Sequence, residues 1–309
     1  MRHRRIRALM RRLVPALLSL ILTAAPVHAG AVLDYMGTHV WTHDDPNFGG
    51  FSGIEISADG TRFHALTDRA HLYRGSIERD AEGGITAMRI EDRANLRDSD
   101  GVPLPAGLMG DSEGIAIGTD GRIWVSFEGL HRVLVYDDPD EPAIRLPYPP
   151  ELPGMTMNKG LEALAIRDDG TLIAVPEQSV HRSIPFTVLA FDGTWSRMTQ
   201  IRRDPHWLAV GADFGPDGRF YLLERDFLGP LGFRSRVRRM LLTDNGPQDE
   251  EILLESRPMQ FDNLEGISVW QDNKGIRITL ISDDNFLFLQ RTEVVEYRLQ
   301  DGLAQASRN

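Results

Sequence analysis

Three glutamates, Glu113, Glu162 and Glu265, each stand before a small residue and a short apolar run: Glu113-Gly-Ile-Ala-Ile117, Glu162-Ala-Leu-Ala-Ile166 and Glu265-Gly-Ile-Ser-Val269. A second acidic series, Asp68, Glu128, Glu177, Glu224 and Asp283, closes the apolar run that follows. Polar residues lead into the first series at Asp111, Asn158-Lys159 and Asp262-Asn263, and Asp284-Asn285 extends the second. Carboxylates gathered at close range repel unless a proton or a cation offsets them. Hard carboxylate and amide oxygens suit Ca²⁺ or Mg²⁺. The expected chemistry is therefore a divalent cation, Ca²⁺ favoured, held by Glu113, Glu162 and Glu265, which polarises a substrate oxygen or activates water. In that scheme Asp283 or Asp68 is the general base, Lys159 and Arg69 offset negative charge on the substrate, and Asp111, Glu128, Glu177, Asp262, Asn263, Asp284 and Asn285 are further candidates. The plainer account of the same residues is acids that pair with Arg69, Arg225 and Arg291 or cap strand ends, with Lys159 paired to a neighbouring glutamate.

The elements that must position these acids repeat five times. Each unit is an apolar strand, an Asp-Gly or Asp-Asn turn and a second apolar strand, with turns at Asp59-Gly60, Asp120-Gly121, Asp169-Gly170, Asp217-Gly218 and Asp272-Asn273. Asp-Gly between apolar runs signals a hairpin, because glycine tolerates the positive φ of a tight primed turn. Third strands are expected at His131–Tyr136, Phe186–Phe191, Arg236–Leu242 and Glu293–Leu299. Fourth strands are expected near Ile85–Ile90, Ala143–Leu146, Arg197–Ile201 and Glu251–Glu255. Four antiparallel strands per unit, repeated, make an all-β propeller whose blades bury one another. Aligned on Gly53, Gly114, Ala163, Ala212 and Gly266, the units are spaced by 61, 49, 49 and 54 residues. This favours five blades, with six as the alternative. The last unit lacks an outer strand, which Ala31–Val40 is placed to supply, removing an exposed edge. The first strand of a blade lies nearest the axis, so Ser52, Glu113, Glu162, Gly211 and Glu265 are expected at the channel mouth. The second acidic series falls on the same rim.

Charge and composition exclude several alternatives. The 309 residues hold 45 Asp and Glu against 34 Lys and Arg, and no cysteine. Nucleic acid is disfavoured as a partner, since phosphate backbones are held by clustered Lys and Arg. Without cysteine there are no disulfides, thiolate nucleophiles or zinc ribbons. The histidines are read as structural, which disfavours a zinc hydrolase. There is no Gly-x-Ser-x-Gly elbow and no phosphate-binding glycine loop.

The N-terminus reads as a targeting segment. Six arginines without an acid precede an apolar run from Leu13 to Ala25, and Val27-His28-Ala29 ends it. The run is too short for the ~20 residues that span a bilayer. The expectation is a Sec-type signal peptide over residues 1–29, cleaved after Ala29, followed by one domain over 30–309 in the periplasm or outside the cell. Removing six arginines leaves 28 basic against 45 acidic residues, a formal charge of −17.

At these residues the sequence resembles a family of exported bacterial proteins. Phe48-Gly-Gly-Phe-Ser-Gly-Ile54, Thr67-Asp68-Arg69, Asp111-Ser-Glu-Gly-Ile115, Asn158-Lys-Gly-Leu-Glu-Ala163, Asp262-Asn-Leu-Glu-Gly-Ile267 and Ser282-Asp-Asp-Asn-Phe286 look like the phytase-like, or "esterase-like activity of phytase", domain. The resemblance runs from about Phe48 to Leu299 and implies a propeller-like fold with functional Glu and Asp residues. The fourth repeat departs from it at Gly211. The expected function is metal-dependent hydrolysis of a phosphoester or carboxylic ester of an unidentified small molecule. The alternative is a non-catalytic periplasmic binding propeller with a structural metal or none.

Overall fold

The computed structural model describes residues 31–152 and 160–300. The expected signal peptide and Lys159 lie outside the described residues. The outermost strand of the ring comes first in the chain, β1 (Val32–Val40). Blade I then holds β2 (Phe51–Ile56), β3 (Arg62–Thr67), β4 (His71–Arg79) and β5 (Ile85–Asn95). Blade II holds β6 (Ser112–Ile117), β7 (Ile123–Phe127), β8 (Arg132–Tyr136) and β9 (Ile144–Arg145). Blade III holds β10 (Leu161–Ile166), β11 (Leu172–Pro176), β12 (Phe186–Phe191) and β13 (Trp195–Ile201). Blade IV holds β14 (Leu208–Phe214), β15 (Phe220–Phe227), β16 (Phe233–Thr243) and β17 (Gly246–Glu255). Blade V holds β18 (Asn263–Asp272), β19 (Gly275–Asp283) and β20 (Glu293–Gln300).

The five sheets are each four-stranded, and the fifth is completed by β1 lying antiparallel to β20. The five-blade expectation and the closing role of the N-terminal strand both hold. Closure pairs the first described strand with the last and covers the outer edge of β20. Among the described residues no helix is long and apolar enough to cross a membrane.

Alternation along each strand puts apolar side chains on both faces, and these meet the next blade. The buried side chains accordingly form five clusters, one per interface. Blades III and IV pack Ile173, Val188 and Phe220 together, and blades V and I pack Trp270 and Ile281 against Phe51 and Phe63. Burying an aliphatic or aromatic side chain of this kind stabilises the fold by about 1.5–3 kcal/mol. This packing between blades holds the ring.

At the axis the strands approach too closely for side chains. A Cβ on Gly114 would meet Glu162 O at 2.4 Å, and one on Gly266 would meet Gly53 Cα at 2.9 Å. The axial space is about 10 Å³, enough for about one water molecule. The acids therefore gather above a plugged axis, not within an open bore.

Below the plug, inner-strand side chains tie blades IV, V and I together. Asp213 Oδ2 of blade IV accepts the Val269 amide of blade V at 2.5 Å, and Ser268 Oγ of blade V accepts the Ile56 amide of blade I at 2.9 Å. Glu55 of blade I accepts the Ser268 hydroxyl at 3.4 Å. Burial first, then the Asp213 charge, push Glu55 well above the usual carboxylate range, and burial raises Asp213 to about 7.

Candidate functional site

A bulge opens every inner hairpin at the rim. The register shifts between Phe51 and Gly53, Ser112 and Ile115, Leu161 and Ala163, Ala209 and Gly211, and Leu264 and Gly266. A bulge inserts an unpaired residue and re-aims its side chain. The re-aimed residues are Ser52, Glu113, Glu162, Val210 and Glu265. On the second strand, the residue after the one paired just before each bulge is Asp68, Glu128, Glu177, Arg225 and Asp283. Main-chain bonds fix several of them: Asp68 N donates to Gly50 O at 2.7 Å, Glu128 N to Asp111 O at 2.8 Å, and Glu177 N to Gly160 O at 3.1 Å.

Blade IV is the exception, and its register corrects the sequence alignment by one residue. Gly211 pairs with Leu223 and Leu208 with Arg225, so Val210, not Gly211, holds the bulge position. Arg225, not Glu224, occupies the place of Asp68, Glu128, Glu177 and Asp283. Glu224 points instead between strands, where it is fully buried and accepts Arg236 Nε and Arg238 Nε at 2.8 Å each. Counting would have found the slip: Glu128, Glu177 and Arg225 each stand seven residues after the glycine of their Asp-Gly turn.

Arg225 divides the rim. Its Nη1 donates to Glu265 Oε1 and, at 3.0 Å, to Asn263 Oδ1, while Nη2 reaches Glu177 Oε1 at 3.5 Å. Asn263 Nδ2 donates to the same Glu265 oxygen at 2.8 Å. Burial opposes the charge of Arg225, but Glu265, Glu162, Glu177 and Glu113 raise its pKa above the ordinary arginine value. Glu162 stays well above the usual range through burial, Glu177 and Glu113, with Arg225 acting the other way.

Among the described residues, the hydrogen bonds of Arg225 go to Glu265, Asn263 and Glu177 and not to the other half. Carboxylate oxygens of Asp111, Glu113 and Glu128 lie within 4.8 Å of one another. Asp111 and Glu113 are half-buried and Glu128 is buried. Burial, then Glu265, Asp111 and Glu128, push Glu113 well above the usual range. Burial raises Glu128 to about 7 against the pull of the Gly160 amide, which donates to its Oε1 at 3.1 Å. Burial also raises Asp111. This all-oxygen set fits a hard divalent cation. It includes Glu113 from the expected trio, but Glu265 is committed to Arg225 and Asn263.

Asp68 neighbours Asp111 and Glu113 of this set, and Asp283 lies beside Asp68 and Glu265. Burial raises Asp68 to about 6 despite Arg69, and burial with Glu265 raises Asp283 to about 8. Arg69 lies 3.8 Å from Asp68 and stacks 3.3 Å above the Phe286 ring centroid. The remaining candidates brace loops. Asp284 Oδ1 accepts the amides of Gly50 and Phe286 at 3.0 and 3.1 Å. Asp262 accepts Gln290 Nε2 and the Arg291 amide, each at 2.8 Å. The Asn285 amide donates to Asp283 Oδ1 at 2.6 Å, while its side chain is exposed. Gly50, at φ 64°, allows the close approach of Asp68, because a Cβ there would meet Asp68 Oδ1 at 2.4 Å.

Comparison with curated protein sequences gives no match. Two fungal enzymes share the fold. The α-L-arabinofuranosidase of Podospora anserina, solved with cellotriose, is 14% identical with a TM-score of 0.50, covering 85% of this chain and 96% of that one. The catalytic domain of the Coprinopsis cinerea GH62 α-L-arabinofuranosidase is 11% identical with a TM-score of 0.52, covering 87% and 97%. At these identities the likeness is one of fold. The family described as phytase-like, esterase-like activity of phytase, matches residues 46–286, a stretch that contains all five inner hairpins, and the chain belongs to that family.

Proposed function

We propose that the protein is an exported hydrolase that cleaves a phosphoester or carboxylic ester of a small molecule at the acidic rim. The observation that carries this reading is the convergence of Asp111, Glu113 and Glu128 oxygens within 4.8 Å, on the side of the rim opposite the hydrogen bonds of Arg225 to Glu265, Asn263 and Glu177. These three residues would hold a divalent cation, with Ca²⁺ favoured by the all-oxygen donors. Such an ion supplies Lewis-acid polarisation of the substrate oxygen and a more acidic water.

The protein's own groups supply the proton transfers. Two carboxyls whose surroundings push their pKa values apart divide the acid and base roles. Asp68, near 6, is the carboxylate that takes a proton from the attacking water, and Asp283, near 8, is the acid that protonates the departing alkoxide. Water adds to the carbonyl or phosphoryl centre, the ester C–O or P–O bond breaks, and an acid and an alcohol leave. Arg69, fixed on Phe286, faces the developing negative charge. Lys159 would join it from the segment outside the described residues. The formal charge of −17 after leader removal opposes highly anionic substrates at long range, which favours esters of low charge.

Export to the periplasm or the medium rests on the 1–29 leader, with residues 30–309 as one domain and no stable membrane span after cleavage. A screen of phosphomonoesters, phosphodiesters, aryl esters and lactones with added Ca²⁺ tests the reading. Turnover should vanish with chelator and in Glu113→Gln while the fold persists. Turnover that survives both would sink it. The competing reading is a binding propeller without catalysis, favoured by the Arg225 clamp, which neutralises part of the rim without any ion. It predicts a cation-dependent melting temperature, or none, and no turnover on any substrate.

A further inference from the structure

A cavity of about 390 Å³ opens next to Glu128, lined by Leu130, His131, Tyr148, Pro149, Glu151 and Leu152. The β7–β8 turn and the segment after β9 supply these residues. Strands β7 and β9 both run toward the rim, so the cavity lies at the end of blade II that carries the acids. Its size falls in the range of roughly 300–1,000 Å³ that holds a small molecule, and most of its walls are apolar.

The contacts that build the cavity also place Glu128. His131, at φ 38°, turns the chain, and its amide donates to Glu128 O at 3.0 Å. Gly160 donates its amide to Glu128 Oε1 at 3.1 Å, and a Cβ on it would meet His131 Nδ1 at 2.7 Å and Glu128 Cγ at 3.0 Å. Leu152 is buried in an apolar cluster with Val133 of blade II and Leu161 and Leu164 of blade III. Buried Pro149 and Leu152 thus form a fixed inner wall, and exposed Leu130 and Tyr148 form the outer edge.

The lining selects the occupant. Tyr148 offers an aromatic face, and Leu130, Pro149 and Leu152 offer apolar surface, which suits a flat aromatic ring. The exposed Glu151 carboxylate at the edge opposes a ring that carries negative charge.

Position selects which end of the ester the ring belongs to. The inner strands neighbour one another in blade order, V beside I, I beside II and II beside III. In the proposed reaction Asp283 of blade V protonates the departing alkoxide, and Asp68 of blade I takes the proton of the water. Asp111, Glu113 and Glu128 of blade II come next, and the cavity follows on the blade III side of Glu128. It therefore lies across the acidic set from the departing alcohol, on the acyl side of the ester.

We propose that this cavity is an acyl subsite for an aromatic ring, so that the substrates are neutral esters of aromatic carboxylic acids. The inference rests on the hydrolase reading. Water adds to the ester carbonyl, the acyl C–O bond breaks, the ring leaves with the carboxylic acid, and the alkoxide takes the proton of Asp283.

Two measurements with Ca²⁺ present test it. The first is equilibrium binding of 2-naphthamide, a neutral ring with a carbonyl and no ester bond. Wild type should bind it, and Leu130→Ser with Tyr148→Ser should bind at least tenfold more weakly at an unchanged melting temperature. Leu130→Trp, which fills the cavity from its exposed edge, should block binding equally if the double variant fails to fold. The second compares kcat/KM for methyl 2-naphthoate and methyl acetate, which share a leaving alcohol. Wild type should prefer the naphthoate at least tenfold, and the double variant should lose that preference while its methyl acetate turnover stays unchanged. Wild type that does not bind 2-naphthamide overturns the proposal, as does equal binding by well-folded variants. Equal kcat/KM on the two esters overturns it and leaves the hydrolase reading standing. Variant-sensitive 2-naphthamide binding without turnover of either ester supports the aromatic site and counts against hydrolysis.

Discussion

Arg225 of blade IV holds Glu265 of blade V across the channel mouth, and the same guanidinium reaches Glu177 of blade III. One arginine thereby joins three blades and supplies positive charge to a crowded set of carboxylates. Removing one partner of a buried ion pair leaves the other charge uncompensated, a loss of about 3–5 kcal/mol. Arg225→Met should lower unfolding stability by about 3 kcal/mol at pH 8. The loss should shrink toward pH 5, because Glu113 and Glu162, held well above the usual range, are then protonated without it. Denaturant titration at the two pH values measures the difference, and an equal loss at both would refute the electrostatic role.

Cation binding should be visible as stability. A ligand at 100 times its Kd, bound only by the folded state, adds about 2.7 kcal/mol. Calcium should therefore raise the melting temperature of wild type, and Glu113→Gln with Glu128→Gln should abolish the rise. Glu265→Gln should leave most of it, because Glu265 is engaged by Arg225 and Asn263. A calcium response that depends on Glu265 and not on Glu113 would relocate the site.

Hydrolysis should follow a bell-shaped pH profile. Activity should rise as Asp68 ionises through about 6 and fall as Asp283 deprotonates through about 8. A bound cation nearby favours the charged carboxylates, so both limbs should move to lower pH as calcium is raised. Asp283→Asn should remove the alkaline limb and cost about 10²-fold or more in kcat. An unchanged alkaline limb in that variant would assign the acid elsewhere.

Glu55 and Asp213 give the fold its own pH dependence. Both have folded pKa values above their unfolded ones, so the folded state binds more protons between about pH 4 and about 7. Their contribution to stability is present below the unfolded pKa and is lost as pH rises through the folded pKa. Glu55→Gln removes one of the two titrating carboxyls and keeps an acceptor for Ser268. It should flatten this slope and raise the melting temperature at pH 8. A slope equal to that of wild type would show that the pair does not titrate in this window.

The axial glycines should tolerate no side chain. Gly266→Val places carbon against the backbone of blade I, where even a Cβ lies 2.9 Å from both Gly53 Cα and Ile54 N. Overpacking commonly costs about 1–3 kcal/mol, and the contact here is backbone on backbone. Soluble yield and melting temperature check this. Gly121→Ala, at a turn with open space around its missing Cβ, should cost less, although its φ of 84° is unfavourable for alanine.

The sequence by itself determined the hairpins, their number and the rim on which the acids gather. These follow from local rules. Asp-Gly turns set each hairpin, apolar runs bury both faces of a blade, and the period counts the blades. The strand completing blade V was legible for the same reason, as an unpaired segment facing an incomplete sheet. Tertiary structure decided which acids act together. A bulge moves one residue without altering composition, so the slip in blade IV exchanged Glu224 for Arg225 and hid the central cation of the rim. Asp284 and Asp262 read as candidate site residues because their sequence neighbours are acidic and amide side chains. Their partners decide otherwise, and Gly50, which donates to Asp284, is 234 residues away in sequence. Glu55 and Asp213 stood in strands with no visible reason to be acidic. Only the closing of the ring brought those two carboxyls near each other, and burial in that closed ring, more than any nearby charge, set their protonation.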